Sequence, residues 1–113
     1  MTREEVATML NSIGLPYAYY QFPDNTEQPP PFICFYYDSS RDLMADNKNY
    51  QKIERLVVEL YTKEKDFSTE ATVESTLTSN GLTYSRAEQF LDDQHMMVEV
   101  YDIDVLITED NDG

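Results

Sequence analysis

The chain has 113 residues, of which 41% are apolar, enough for one domain with a core of its own. Eight Lys and Arg stand against 22 Asp and Glu, and this formal charge of −14 disfavours binding nucleic acid through phosphate contacts. The lone cysteine, Cys34, excludes an internal disulfide framework, and the longest apolar runs fall far short of the ~20 residues a membrane-spanning helix needs.

Thr2-Arg3-Glu4-Glu5 has the form of a capping box, and Val6, Met9, Leu10 and Ile13 then fall on one helical face. Gly14 suits the end of that helix and Pro16 blocks its continuation. Residues 17–22 are aromatic-rich and predict a strand. Residues 23–31, with Pro29-Pro30-Pro31, predict an extended loop of polyproline character. Residues 32–38 predict a strand buried on both faces.

Residues 39–49 are polar around Leu43-Met44 and read as a long hairpin loop, a kind of segment that often carries contacts. Residues 50–62 read as one long strand, with Leu56, Val58 and Leu60 on one face and Ile53, Val57 and Tyr61 on the other. A second helix is expected over 66–80, capped by Ser68 or Asp66, with Phe67 as a hydrophobic staple and Gly81 at its end. Its four threonines (Thr69, Thr72, Thr76, Thr78) lower its intrinsic propensity, so packing must hold it. Residues 82–91 and 96–108 predict the last two strands. In the second of these Val98 and Val100 have one parity and Ile103, Val105 and Ile107 the other, which predicts a bulge near Tyr101-Asp102. The expectation is an α+β domain over 1–108, with two helices on one face of a mostly antiparallel sheet in the order α-β-β-β-α-β-β, and a flexible acidic tail at 109–113.

Chemical signatures are sparse. His95 sits beside a turn and Cys34 lies in an apolar run, where a thiol is usually inert. The three glycines form neither a phosphate-binding nor a dinucleotide-binding motif. Asp110-Asn111-Asp112-Gly113 shares letters with a calcium loop but has the wrong ligand spacing. Asp102 and Asp104 share one strand face as a glycosidase pair would, a weak signal in so acidic a chain. No catalytic, cofactor or metal residue is therefore assigned. No basic segment followed by an apolar run opens the chain, so a signal peptide is not expected and a reducing cytoplasm is.

Two features do stand out. Residues 48–65 sum to +2 and residues 92–113 to −8, opposite poles that suit head-to-tail association of copies. Nine tyrosines include the adjacent pairs Tyr19-Tyr20 and Tyr36-Tyr37, whose members point to opposite faces of a strand. If helices cover one face, a second chain could cover the other.

Glu59-Leu60-Tyr61-Thr62, the following helix with Glu70, Glu74 and Leu77, then Gly81, Tyr84, Glu88, Met97, Val100 and Tyr101, resemble a small protein of the head–tail gene block of siphophages and prophages of Gram-positive bacteria, similar to tail-terminator (tail-completion) proteins. The resemblance spans residues 1–108. It implies an α+β fold, a hexameric ring of copies capping the tail tube, docking to the head connector, no enzyme activity, and residence in the host cytoplasm during assembly and then at the head–tail junction of the virion. DNA would pass through the ring without being specifically bound. The family has no strict site residues to carry over.

The expected protein contacts are therefore read from this chain alone: Pro29, Pro30 and Pro31 as an extended arm, Leu43, Met44 and Tyr50 as apolar anchors, and Asp92 and Asp93 as a lumen or docking rim. Three other readings remain: a head-completion or head–tail joining subunit, an acidic DNA mimic inhibiting a host nucleic-acid-binding enzyme, and an enzyme using His95 or Cys34.

Overall fold

A computed structural model describes residues 1–23, 28–38, 43–45, 49–51 and 54–108, with only the backbone described for 43–45 and 49–51. The expected tail at 109–113 lies outside the described residues.

Helix α1 (Arg3–Ile13) starts at the predicted box: the Glu5 amide donates to Thr2 Oγ1 at 3.1 Å and the Thr2 amide to Glu5 Oε1 at 2.8 Å. Gly14 ends it at φ 90°, a left-handed conformation that a side chain would strain, and donates to the Asn11 carbonyl. Val6, Met9 and Leu10 form its buried stripe. Strand β1 (Tyr17–Tyr19) is shorter than expected because Tyr20 turns to φ 68°. The Tyr20 amide then donates to the Phe35 carbonyl at 2.8 Å.

Strand β2 (Phe32–Asp38) is the predicted strand. The expected long loop that follows contains a hairpin of its own, β3 (Leu43–Ala45) antiparallel to β4 (Asn49–Gln51). The expected strand over 50–62 is accordingly two strands, β4 and β5 (Arg55–Thr62). Helix α2 (Phe67–Ser79) is capped by Asp66, whose carboxylate accepts from the Thr69 amide at 3.0 Å and from the Thr69 hydroxyl at 2.7 Å. These bonds hold the Asp66 carboxyl below its ordinary range. Phe67 is not a staple: it is 74% exposed, with the Lys65 ammonium 4.8 Å from its ring centroid. The helix absorbs two of its threonines by back-bonding, Thr72 to the Ser68 carbonyl and Thr76 to the Thr72 carbonyl. Strands β6 (Tyr84–Leu91) and β7 (Met96–Ile103) follow.

Five strands form one mixed sheet in the order β1-β2-β5-β7-β6, and β3-β4 form a separate two-stranded sheet. The pairing is antiparallel except for β1 with β2, which is parallel. Because β7 lies between β5 and β6 and opposes both, β5 and β6 run the same way and α2 crosses over β7, a split β-α-β unit. The class is α+β, as expected from the sequence. Both helices pack on one face, where Val6, Leu10, Val73 and Leu77 meet Ile33, Leu56, Val58, Leu60, Tyr101 and Ile103, all fully buried.

The expected bulge is absent. Pairing of β7 runs unbroken from Met97↔Thr62 to Ile103↔Leu56 and from Met96↔Leu91 to Ile103↔Tyr84. Glu99, Tyr101 and Ile103 share the helix-covered face, while Val98 and Val100 belong to the opposite one. A buried glutamate in the core-facing register made the pattern look out of phase. Beyond Ile103 the chain is no longer strand, but Ile107 is buried, and the Thr108 amide donates to the Met1 carbonyl at 2.9 Å. The Met1 ammonium donates to the Leu106 carbonyl at 3.0 Å.

Two substitutions check this architecture. Leu60→Ala is expected to cost about 2–5 kcal/mol as a core cavity, and Thr2→Ala about 1 kcal/mol as a lost cap. Urea denaturation should show both as lowered midpoints with unchanged slope.

Candidate functional site

The residues expected to make contacts sort to the two ends of the sheet. Phe32, Thr62, Leu91 and Met96 mark one end, and Asp38, Arg55, Tyr84 and Ile103 the other. The first end carries Pro29–Pro31 before β2, the β5–α2 turn, and Asp92 and Asp93, both exposed, in the β6–β7 turn. Pro29 and Pro31 are exposed and Pro30 is half-buried. Pro30 and Pro31 line a surface cavity of about 240 Å³ with Thr62, Lys63, Glu64, Lys65 and Asp66 of the same chain. Phe32 next to them fixes the segment, stacked on Tyr61 at 4.9 Å and edge-on to Phe22 at 5.4 Å.

Leu43, Met44 and Tyr50 come together on the β3–β4 hairpin, with Met44 directly opposite Tyr50 and Leu43 opposite Gln51. This hairpin leaves β2 and returns to β5 at the second end of the sheet, and it shares no ladder with the five-stranded sheet. Two-stranded sheets alone are marginal in water.

Among the described residues no helix covers the second face of the sheet. Cys34, Val57 and Val98 are nonetheless buried there. Part of the cover is the chain's own: Tyr20 stacks on Tyr36 with centroids 5.1 Å apart, and Phe22 packs on Phe32. The adjacent tyrosines do split between faces, Tyr19 packing on Phe35 and Tyr37 of the core side. A cavity of about 300 Å³ at this face is lined by Tyr20, Phe22, Phe32, Cys34, Tyr61 and Gln94, among others. Burial, and the charge of Glu59, push the Cys34 thiol up to about 11, so it stays protonated and unreactive. His95 is exposed in its turn at φ 52°.

Sequence reasoning missed the densest group of charges. Glu70 of α2 and Glu99 of β7 are almost fully buried on the core side. The Lys65 ammonium lies 3.0 Å from Glu70 Oε1 and 3.5 Å from Glu99 Oε2, and also bonds Glu88 of β6. Arg86 of β6 reaches Glu74 Oε2 at 2.8 Å, Glu70 Oε1 at 3.3 Å and, through Nε, Glu99 Oε1 at 3.4 Å. The Tyr101 hydroxyl donates to Glu74 Oε2 at 2.9 Å.

These bonds raise both cations above their ordinary values, and burial pushes the Tyr101 phenol up. Carboxylate oxygens of Glu70, Glu88 and Glu99 lie within 4.8 Å of one another, a spacing that could hold a metal ion. The Lys65 ammonium bonds all three of these carboxylates. The signal for the cluster was in the register: Glu70 shares a stripe with Val73 and Leu77, and Glu99 a strand face with Tyr101 and Ile103.

The positive pole read from residues 48–65 is partly spent inside the fold. Lys65 serves this cluster, and Arg55 pairs with Asp102 at 3.2 Å. Lys48 and Lys52 lie outside the described residues. No family model, no curated protein and no solved structure matches this chain. No helix among the described residues is long and apolar enough to cross a membrane.

Two measurements follow from this geometry. Cys34 is expected to resist a thiol reagent at about pH 8 until the protein is unfolded in denaturant. Lys65→Met is expected to lower the thermal midpoint, and by more at about pH 8 than at about pH 6, because the carboxylates left behind repel most when ionised.

Proposed function

We propose that this chain is a structural subunit of a phage or prophage virion, a tail-terminator-like protein. Its copies close into a ring that caps the tail tube and docks to the head connector. The observation that carries this reading is the separation of the candidate contacts to opposite ends of one sheet. The β3–β4 hairpin with Leu43, Met44 and Tyr50 stands at one end, and Pro29–Pro31 with Asp92 and Asp93 at the other. A subunit with two distinct ends can meet one partner above and another below, while its flanks meet its own copies through heterologous interfaces. The resemblance in sequence supplies the identity of the partners and the hexameric copy number. In this role the protein is not an enzyme, and its work is done by surfaces.

The excess of acid fits a conduit. A lumen lined by carboxylates such as Asp92 and Asp93 repels the passing genome, where a basic one would hold it by releasing its counterions. The same structure weakens the DNA-mimic reading. A mimic needs carboxylates displayed in a row, whereas Glu54, Glu70, Glu74, Glu88, Glu99 and Asp102 are each tied to an arginine or lysine of the chain itself. A head-completion or head–tail joining subunit remains the second reading, because a two-ended subunit serves either place.

The test is assembly. Purified protein, alone and mixed with tail-tube protein, should give ring-shaped particles by negative-stain microscopy and a multimeric mass by light scattering. A monomer under both conditions at high concentration overturns the proposal. Binding to connector protein but not to tube protein moves the chain to the joining role. Leu43→Asp with Met44→Asp is expected to abolish the rings while the circular dichroism spectrum and thermal midpoint stay close to those of the parent.

A further inference from the structure

Strand β6 is an open edge of the five-stranded sheet. Among the described residues it pairs with β7 alone, and every residue from Ser85 to Phe90 is exposed. Such an edge presents unpaired N–H and C=O groups that can accept a further strand, and proteins usually blunt it by shortness, proline, lysine or a bulge. The opposite edge is blunted: β1 has three residues, follows Pro16 and ends where Tyr20 turns to φ 68°. Strand β6 has none of these protections. It runs for eight residues, contains no proline, glycine or lysine, and keeps an unbroken ladder with β7 from Tyr84↔Ile103 to Leu91↔Met96.

The strand is also its own complement. Set antiparallel to β6 of a second copy with Ala87 opposite Ala87, Arg86 meets Glu88, Tyr84 meets Phe90 and Ser85 meets Gln89. Opposite charges and aromatic rings facing each other across strands stabilise a sheet. In this register Tyr84, Arg86, Glu88 and Phe90 of both copies lie on the helix-covered side, the side of Glu99, Tyr101 and Ile103. Sliding one copy by two residues sets Glu88 against Glu88 or Arg86 against Arg86, and like charges directly opposite are destabilising. The segment is neutral, one Arg against one Glu, in a chain of formal charge −14, so two copies can approach along it. Strands lie about 4.8 Å apart, which puts β7 about 14 Å from its copy. The α2 helices, crossing over β7, then clear one another, because packed helices need about 8–10 Å between axes.

We propose that β6 is a self-docking edge: two copies of this chain join antiparallel through β6, about a two-fold axis at Ala87, into one continuous ten-stranded sheet. Arg86 and Glu88 also bond Glu74 and Lys65 of their own chain, yet their side chains remain 41% and 42% accessible and reach across the axis. The contact goes beyond the ring reading and is independent of it, since it takes only the β6 edge and leaves the faces and both ends of the sheet to other partners.

Sedimentation equilibrium and cysteine cross-linking of the full chain test the proposal. Leu43→Asp with Met44→Asp, the variant expected to lose rings, should sediment as a dimer. Adding Ala87→Lys should raise the dimer dissociation constant roughly tenfold or more, because the two lysines face each other at the axis. Ala87 is exposed opposite Val100, so the thermal midpoint of the monomer should hold. In the otherwise unchanged chain, Ala87→Cys should oxidise to a covalent dimer, because directly opposed Cα atoms stand about 4.5–5.5 Å apart, within disulfide reach. Ser85→Cys alone should not, since its copy lies four residues along, about 13 Å away. Ser85→Cys mixed with Gln89→Cys should cross-link. The parent, whose Cys34 is buried, is the control. A ring-deficient variant that stays monomeric at every concentration overturns the proposal, even if β6 accepts a strand of tube protein. So does a dimer that Ala87→Lys leaves unweakened, or cross-linking through Ser85→Cys alone in place of Ala87→Cys. A parent that dimerises but never forms rings, even with tube protein, overturns the ring reading and leaves the β6 pairing standing.

Discussion

Val6, Met9 and Leu10 of α1 and Val73 and Leu77 of α2 press on the same side of the sheet, and Leu56, Val58 and Leu60 of β5 lie at the middle of what they cover. At roughly 1.5–3 kcal/mol for each large apolar side chain removed from water, this single layer supplies most of the drive to fold. It also dictates the rest. Helices confined to one side leave the other side of a five-stranded sheet to be finished by different means. In this chain the means are aromatic: Phe22 on Phe32, Phe32 on Tyr61, Tyr20 on Tyr36. A face built of rings is partly shielded from water and still suited to contact, since a tyrosine offers broad area at little rotamer cost.

The charge balance is organised by the same layer. An acidic chain that buries a helix against a sheet must bring some carboxylates along. Among the described residues Glu54, Glu70 and Glu99 are buried, and Arg3, Lys65 and Arg86 meet them. Lys65 and Arg86 hold Glu70 and Glu99 from partly exposed positions, their side chains 28% and 41% accessible. Burying ion pairs seldom adds stability over an apolar core, but it fixes which groups meet. Here it ties the turn before α2, the helix itself and the last hairpin into one arrangement.

Much of the fold could be read from residue spacing. The capping box at Thr2 and Glu5, the left-handed Gly14, the Asp66 cap and the two faces of β5 are local patterns with local causes, and they appear where the sequence places them. What failed was non-local. The parallel pairing of β1 with β2 depends on where a loop of distant residues returns, and no periodicity encodes that. The hairpin of Leu43 and Met44 with Tyr50 hid inside a polar stretch because its strands are only three residues long. The burial of Glu99 was not legible, because burial of a charge depends on partners as far away as Lys65 and Glu70. Of the candidate contacts, their positions were legible and their grouping into two ends was not, since grouping is a property of the sheet.

The order of strands has one more consequence, for how the molecule comes into being. Strand β7 is made after the other four strands of its sheet, yet it occupies an interior place between β5 and β6. Until it emerges from the ribosome those two strands have no common neighbour, α2 has no floor beneath it, and Lys65 has only helix and edge-strand carboxylates to meet. Such long-range closure is slow compared with hairpin-by-hairpin folding. The nascent chain must wait with its hydrophobic side open, and a truncation only a dozen residues before Ile103 would leave a half-sheet with two raw edges in place of a shortened domain.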